Sequence, residues 1–219
     1  AGEARLVRRT ARPTVGVLAL QGAFREHRLA FERLGADVVE VRLARQLDGL
    51  AGLVIPGGES TTMAKLMAAY GFDDAIPEFV RAGGAVWGTC AGAIALATDI
   101  VANPDQPRLG LIDITVDRNA YGRQVASFEA DVEVKGLSGG VPVLFIRAPR
   151  IVRTGPGVEV LARWDGEPVL VRSGAVMAGV FHSELSGDDR IHALFLDRIE
   201  ATSRATSATS TTGAFTTRS

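Results

Sequence analysis

Ala85-Val86-Trp87-Gly88-Thr89-Cys90-Ala91-Gly92-Ala93-Ile94-Ala95-Leu96 reads as a buried strand that meets a tight turn and continues as a helix. Glycines 88 and 92 leave room on both sides of the bend. The G-x-C-x-G arrangement has the layout of a nucleophile elbow, with sulfur where a hydrolase would carry a serine hydroxyl. A side chain on such a bend projects beyond the sheet, toward the first N–H groups of the helix, a setting that suits a nucleophile. The competing reading is a small buried hydrophobe, the common use of a free cysteine.

Outward from this stretch, strands and helices alternate. Thr14 to Leu20 is a continuous apolar run of the kind a strand buried on both faces carries. A helix follows Gln21-Gly22, with Phe24, His27, Phe31 and Leu34 on one face and Gly35 as its stop. Asp37 to Arg42 and Gly52 to Ile55 read as strands, and Pro56-Gly57-Gly58-Glu59-Ser60-Thr61-Thr62 turns the chain into a helix reaching Tyr70. A further helix over Ala75 to Ala82 precedes the strand that ends at Cys90. The second half is richer in β-structure: Ser127 to Lys135, Val143 to Ile146, and an antiparallel run over Val158–Trp164, Pro168–Arg172 and Ala175–Phe181. A last helix spans Asp188 to Glu200. The expected architecture is α/β: a mostly parallel central sheet covered by helices on both faces, flavodoxin-like or Rossmann-like, with an added antiparallel portion.

The chain has 219 residues, enough for one such domain, and is 47% hydrophobic with a formal charge of −1. That balance argues against nucleic acid as the main partner, and no apolar run is long enough for a membrane span. Cys90 is the only cysteine, which excludes an intrachain disulfide and a multi-cysteine metal site. A reduced, cytoplasmic setting follows. Residues 1–13 carry four arginines without apolar periodicity and read as a flexible extension. Residues 201–219, rich in Ser, Thr and Ala, read as a disordered tail. One domain, 14–200, remains.

A cysteine nucleophile needs a base, and the base needs an orienting group. In Phe181-His182-Ser183-Glu184-Leu185, an extended segment would point His182 and Glu184 to the same side, letting the carboxylate accept an imidazole N–H. Only two other histidines exist. His27 falls on the apolar face of the first helix and reads as a packed or edge residue; His192, in the last helix, reads as structural or solvated. The loop Pro56 to Ser60 leaves a strand end on the same sheet edge as Cys90, and its paired glycines allow backbone N–H groups to approach a ligand. An ordinary strand–helix turn is the alternative there.

Taken together, Gly88-Thr89-Cys90-Ala91-Gly92, Pro56-Gly57-Gly58-Glu59-Ser60-Thr61-Thr62 and His182-x-Glu184 resemble the class I glutamine amidotransferases. Within that superfamily the chain is similar to the glutaminase subunits of pyridoxal 5′-phosphate synthase. The segments that carry the closer likeness are Gly16 to Gly22 with Arg25-Glu26-His27, Asp117 to Gln124, Ser127 to Asp131, and Phe145-Ile146-Arg147-Ala148-Pro149. It runs in order through about residues 14–200.

The resemblance implies a Cys90–His182–Glu184 triad that frees ammonia from L-glutamine through a thioester. It implies a glutamine pocket lined by Gly58, Glu59, Ser60, Arg118, Ile146 and Arg147. An oxyanion hole supplied or gated by Gly57 and Gly58, with Ala91, also follows from it, and Gln21 would respond to the partner. That partner is a (β/α)₈-barrel synthase, in an assembly of twelve synthase and twelve glutaminase subunits. No metal or bound cofactor is implied for the glutaminase itself. One departure is Ser183, where the family usually has proline; serine would loosen the His–Glu segment. Three rivals remain: the glutaminase of imidazole-glycerol-phosphate synthase, a regulatory binding module without turnover, and a cysteine hydrolase acting on other substrates.

Overall fold

The computed structural model of the chain describes residues 12–101, 103–118 and 127–212. Most of the N-terminal extension, residues 119–124 of the Asp117–Gln124 motif, and the last seven residues of the tail lie outside the described residues.

The first half runs β1 (Thr14–Leu18), α1 (Phe24–Arg33), β2 (Asp37–Val41), β3 (Gly52–Ile55), α2 (Ser60–Ala69), α3 (Phe72–Arg81), β4 (Ala85–Thr89) and α4 (Ala91–Leu96). Then come β5 (Ala97–Val101), β6 (Ile112–Asp117), β7 (Phe128–Val132), β8 (Val141–Phe145) and β9 (Arg150–Thr154). The chain finishes with β10 (Glu159–Trp164), β11 (Glu167–Ser173), β12 (Val176–Gly179) and α5 (Arg190–Thr212).

Seven strands form the central sheet in the order β10-β11-β12-β4-β3-β1-β2. Pairing is parallel from β12 through β2 and antiparallel between β10, β11 and β12. β3 and β4 are buried at every position, as strands sandwiched between two helical layers are. Alternation along β4 sends its side chains to opposite layers. Trp87 meets the rings of His27 on α1 and of His192 and Phe195 on α5. Gly88 faces α4, where a Cβ would lie 2.4 Å from the carbonyl oxygen of Gly92. The expected three-layer α/β fold is therefore present. A three-stranded sheet, β5-β6-β9, and the β7–β8 hairpin supply the added β-structure.

Some boundaries differ from the sequence reading. The first strand stops at Leu18, and the helix expected from Ala75 starts at Phe72, because Gly71 turns the chain with φ 72°. Leu34 caps α1 and is 37% exposed instead of joining its buried face. Strands β5, β6 and β9 were not anticipated, although Ile112, Ile114 and Val116 alternate inward against Asp113, Thr115 and Asp117. The helix after Cys90 ends at Leu96, where the chain passes straight into β5. The last helix does not stop at Glu200. Alanines 201, 205 and 208 are strong helix formers, no proline or glycine intervenes before Gly213, and α5 continues to Thr212.

Candidate active site

Cys90 sits between the C-terminal end of β4 and the first residue of α4 with φ 49° and ψ −105°, a conformation that costs a non-glycine residue about 1–3 kcal/mol. Two backbone bonds hold it: its N–H donates to the Gly179 carbonyl (2.8 Å), and its own carbonyl accepts from Ile94 N–H (3.2 Å). The glycines around it are steric necessities. A Cβ on Gly92 would come within 2.0 Å of the Ile55 carbonyl oxygen, so α4 packs onto β3 only because that side chain is missing. Ala91 opens α4 directly beside the sulfur, which is 7% exposed as part of its residue.

His182 arrives from the opposite side. The segment after β12 is extended and bridges to β8: His182 N–H donates to the Leu144 carbonyl (2.7 Å), and Leu144 N–H donates back at 3.3 Å. Extended geometry places the next side chain but one on the same side, and Nδ1 of His182 lies 2.6 Å from Oε1 of Glu184. The other ring nitrogen is left for Cys90, with which His182 hydrogen-bonds. Burial is the largest influence on His182 and disfavours its charge. The hydrogen bonds to Cys90 and Glu184 outweigh it and raise the imidazole to about 10. Glu184 is 6% exposed; burial works against its charge, and facing His27 and His182 brings it below the ordinary carboxylate value.

The loop between β3 and α2 closes over this pair. A Cβ on Gly57 would lie 2.4 Å from Cε1 of His182 and 3.2 Å from Cβ of Cys90. The Gly57 carbonyl accepts from Ala23 N–H (3.1 Å). Gln21 clasps the next residues: its Oε1 accepts from Glu59 N–H (3.2 Å) and its Nε2 donates to the Glu59 carbonyl (3.4 Å). A Cβ on Gly58 would collide with the Gln21 amide, at 2.4 Å from Nε2. Glu59 caps α2. The Thr62 hydroxyl and the N–H groups of Thr61 and Thr62 donate to its carboxylate and hold it down to about 2.

Arg118 reaches the same loop from the end of β6. Its Nη1 donates to Oε1 of Gln106 (2.6 Å) and to the Thr61 hydroxyl (3.2 Å), and Nη2 is 3.9 Å from Glu59 Oε1. Ser60 is buried at the start of α2. Ile146 and Arg147 follow β8 just beyond the bridge to His182, Arg147 exposed and in the left-handed region at φ 46°. Sequence reasoning gave no role to Gln106, only 4% exposed, or to Thr89, and read His27, which stands with Thr89 behind Glu184, as a packed or edge residue. For Gln106 the sequence carries no signal, since a glutamine in a loop reads as solvated. For His27 the signal was its exceptional position, a histidine on an apolar helix face.

Solved structures place the fold. It superposes with a TM-score of 0.82 on a crystal structure of a glutamine amidotransferase that is 55% identical, covering 85% of this chain and 98% of that one. A putative GMP synthase subunit from Thermoplasma acidophilum shares the fold at a TM-score of 0.67 and 17% identity, over 90% of this chain and 99% of its own. By architecture, then, this is a class I glutamine amidotransferase. More particularly, the chain belongs to the SNO glutamine amidotransferase family, whose model matches residues 17–201. Curated relatives carry the name pyridoxal 5′-phosphate synthase subunit PdxT. The one from Deinococcus radiodurans is 54% identical over 187 residues, 84% of this chain and 95% of its own. One from Thermus thermophilus is 56% identical over 187 residues, 85% and 97% respectively. Among the described residues, no helix is long and apolar enough to cross a membrane.

Proposed function

We propose that this chain is the glutaminase subunit of a pyridoxal 5′-phosphate synthase, freeing ammonia from L-glutamine through Cys90, His182 and Glu184. The observation that supports this most is the 2.6 Å contact between His182 and Glu184, set opposite a strained Cys90. Because His182 keeps its proton well above neutral pH, the imidazolium is in place before substrate arrives. The sulfur attacks the side-chain amide carbon, and the carbonyl electron pair moves onto oxygen. Backbone N–H groups of Gly58 and Ala91 hold that oxyanion, with Gly57 and Gln21 setting the loop. Collapse breaks the C–N bond while His182 gives its proton to the departing nitrogen, leaving ammonia and a thioester. Neutral His182 then takes a proton from water as the water oxygen attacks the thioester. The C–S bond breaks, and glutamate leaves.

Gly58, Glu59, Ser60, Ile146 and Arg147 line the glutamine pocket in this reading. Arg118, pinned by Gln106 and Thr61, forks onto the α-carboxylate. The partner is a barrel synthase in a twelve-plus-twelve cytoplasmic assembly, which receives the ammonia and whose docking completes the oxyanion hole through Gln21. The working domain is 14–200, with 1–13 and 201–219 as extensions; the family match over 17–201 supports that division. Pyridoxal 5′-phosphate is the product of the complex and is not held by this subunit.

The test is ammonia release from glutamine with and without the barrel synthase, for the parent chain and Cys90→Ala. Strong stimulation by the synthase that vanishes in Cys90→Ala is the expected result. No release even in the complex overturns the proposal and favours a regulatory module slowed by Ser183.

A further inference from the structure

Behind the triad lies a second polar line that the chemistry above does not use. Nε2 of His27 stands 3.5 Å from Oε2 of Glu184, the carboxylate oxygen that His182 leaves free, and 3.1 Å from the Thr89 hydroxyl. Nδ1 of His27 lies 2.9 Å from Nε2 of His192. Both histidines are fully buried against the Trp87 ring, with centroids 5.3 Å (His27) and 5.0 Å (His192) away, and His192 also packs on Phe31 at 5.0 Å. The three partners come from α1, α5 and the end of β4, elements far apart in sequence.

Counting protons selects one arrangement. Nδ1 of His192 is buried without a hydrogen-bond partner. A neutral imidazole leaves a lone pair there at small cost, whereas an N–H in that place would be an orphaned donor. So the His192 proton sits on Nε2 and is donated to Nδ1 of His27. The His27 proton is then on Nε2, bonded to Thr89 Oγ1 and facing Glu184 Oε2, which has no hydrogen-bond partner of its own, across a 3.5 Å electrostatic contact. The inverse arrangement would bury an unmet N–H on His192 and turn a His27 lone pair toward a carboxylate oxygen. Burial, the largest influence on each ring, keeps both histidines below their ordinary values and therefore neutral. The charged and titratable groups around His27 are Glu184, His182, His192 and Glu26, with Arg33 beside His192.

We propose that His27 is a positioning residue for the Glu184 carboxylate and that His192 locks His27 in the tautomer this requires. Bonded to His182 through Oε1 and faced by the His27 N–H at Oε2, Glu184 is kept from swinging away from His182. The hydrogen bonds run from His192 to His27 to Thr89, with the His27 dipole aimed at the carboxylate. Neither histidine touches substrate. The inference rests on the triad reading above and extends it by two residues.

The test uses His27→Leu, His27→Gln and His192→Leu. Three histidines in the chain keep a ¹⁵N-histidine spectrum simple enough to follow His182 as pH is raised. His27→Leu should lower the His182 titration midpoint, shift the pH profile of Cys90 alkylation in the same direction, and reduce kcat about 10- to 100-fold in the synthase complex with KM within about twofold. His27→Gln, whose amide can present an N–H dipole to Oε2, should recover most of each effect. A folded His27→Leu with the parental midpoint and kcat overturns the proposal, and so does a folded His27→Gln that behaves like His27→Leu. If His27→Leu does not fold, His192→Leu decides: a lowered His182 midpoint sustains the proposal, and an unmoved one overturns it. Titration and alkylation need no glutamine turnover. A parent chain without glutaminase activity therefore defeats the proposed function while these readouts still judge His27.

Discussion

At the scale of single residues, Ser183 stands between the two members of the His–Glu pair and is 1% exposed, with its hydroxyl oxygen buried and unpartnered. Removing an unmet buried hydroxyl relieves a desolvation cost. Ser183→Ala should therefore gain about 1 kcal/mol of stability by urea denaturation and keep its ammonia release. A loss of stability would mean the hydroxyl has a partner after all. The loosening expected from serine is countered by other ties: the His182–Leu144 bridge, and two bonds onto the Ser183 carbonyl from the N–H and hydroxyl of Ser186. Restoring proline should leave the His–Glu pair intact.

At the scale of elements, the elbow depends on how closely α4 can approach β3. Gly92→Ala puts a methyl group against the Ile55 backbone, which cannot rotate aside. The expected cost is about 3 kcal/mol, read from chemical denaturation, together with a large loss of Cys90 reactivity as α4 is pushed off. Full stability in that variant would show that the helix has room the structure does not give it. This element was also the most legible. An apolar run ending in G-x-C-x-G can hardly be anything but strand, bend and helix, and the parallel core followed from similar runs. The edges were less readable. β5 is broken by Asp99 and β9 by Arg150 and Arg153, and their pairing with β6 comes from tertiary contact, not propensity. His27 and His192 illustrate the same limit in the site. His27 read as a packed or edge residue and His192 as structural or solvated, and only the meeting of α1 with α5 turned them into a hydrogen-bonded pair. Arg118 was placed by resemblance alone; its hold on Gln106 and Thr61 depends on loop geometry that no spacing encodes.

At the scale of the whole molecule, the charge on His182 ties stability to pH. The imidazole moves from an ordinary 6.5 to about 10 on folding, so between these values the folded chain holds a proton that the unfolded chain has released. Stability from this group is complete below about pH 6.5 and is lost as pH rises toward 10. The gap in Tm between the parent and His182→Gln should accordingly be widest near pH 6 and shrink toward pH 10. A gap that widens with pH would reverse the sign and remove the imidazolium from the resting site.

The central sheet carries a temporal consequence. β12 is among the last strands of the chain, yet it inserts beside β4 near the middle of the sheet, and its Gly179 carbonyl anchors the Cys90 amide. During synthesis, the first half emerges with its sulfur but with no histidine opposite it. The elbow stays unbraced until β12 has left the ribosome and zipped into place. Long-range strand insertion of this kind is a late, slow event in folding. A prematurely released fragment would carry the cysteine on an unbraced elbow, with His182 and Glu184 still missing.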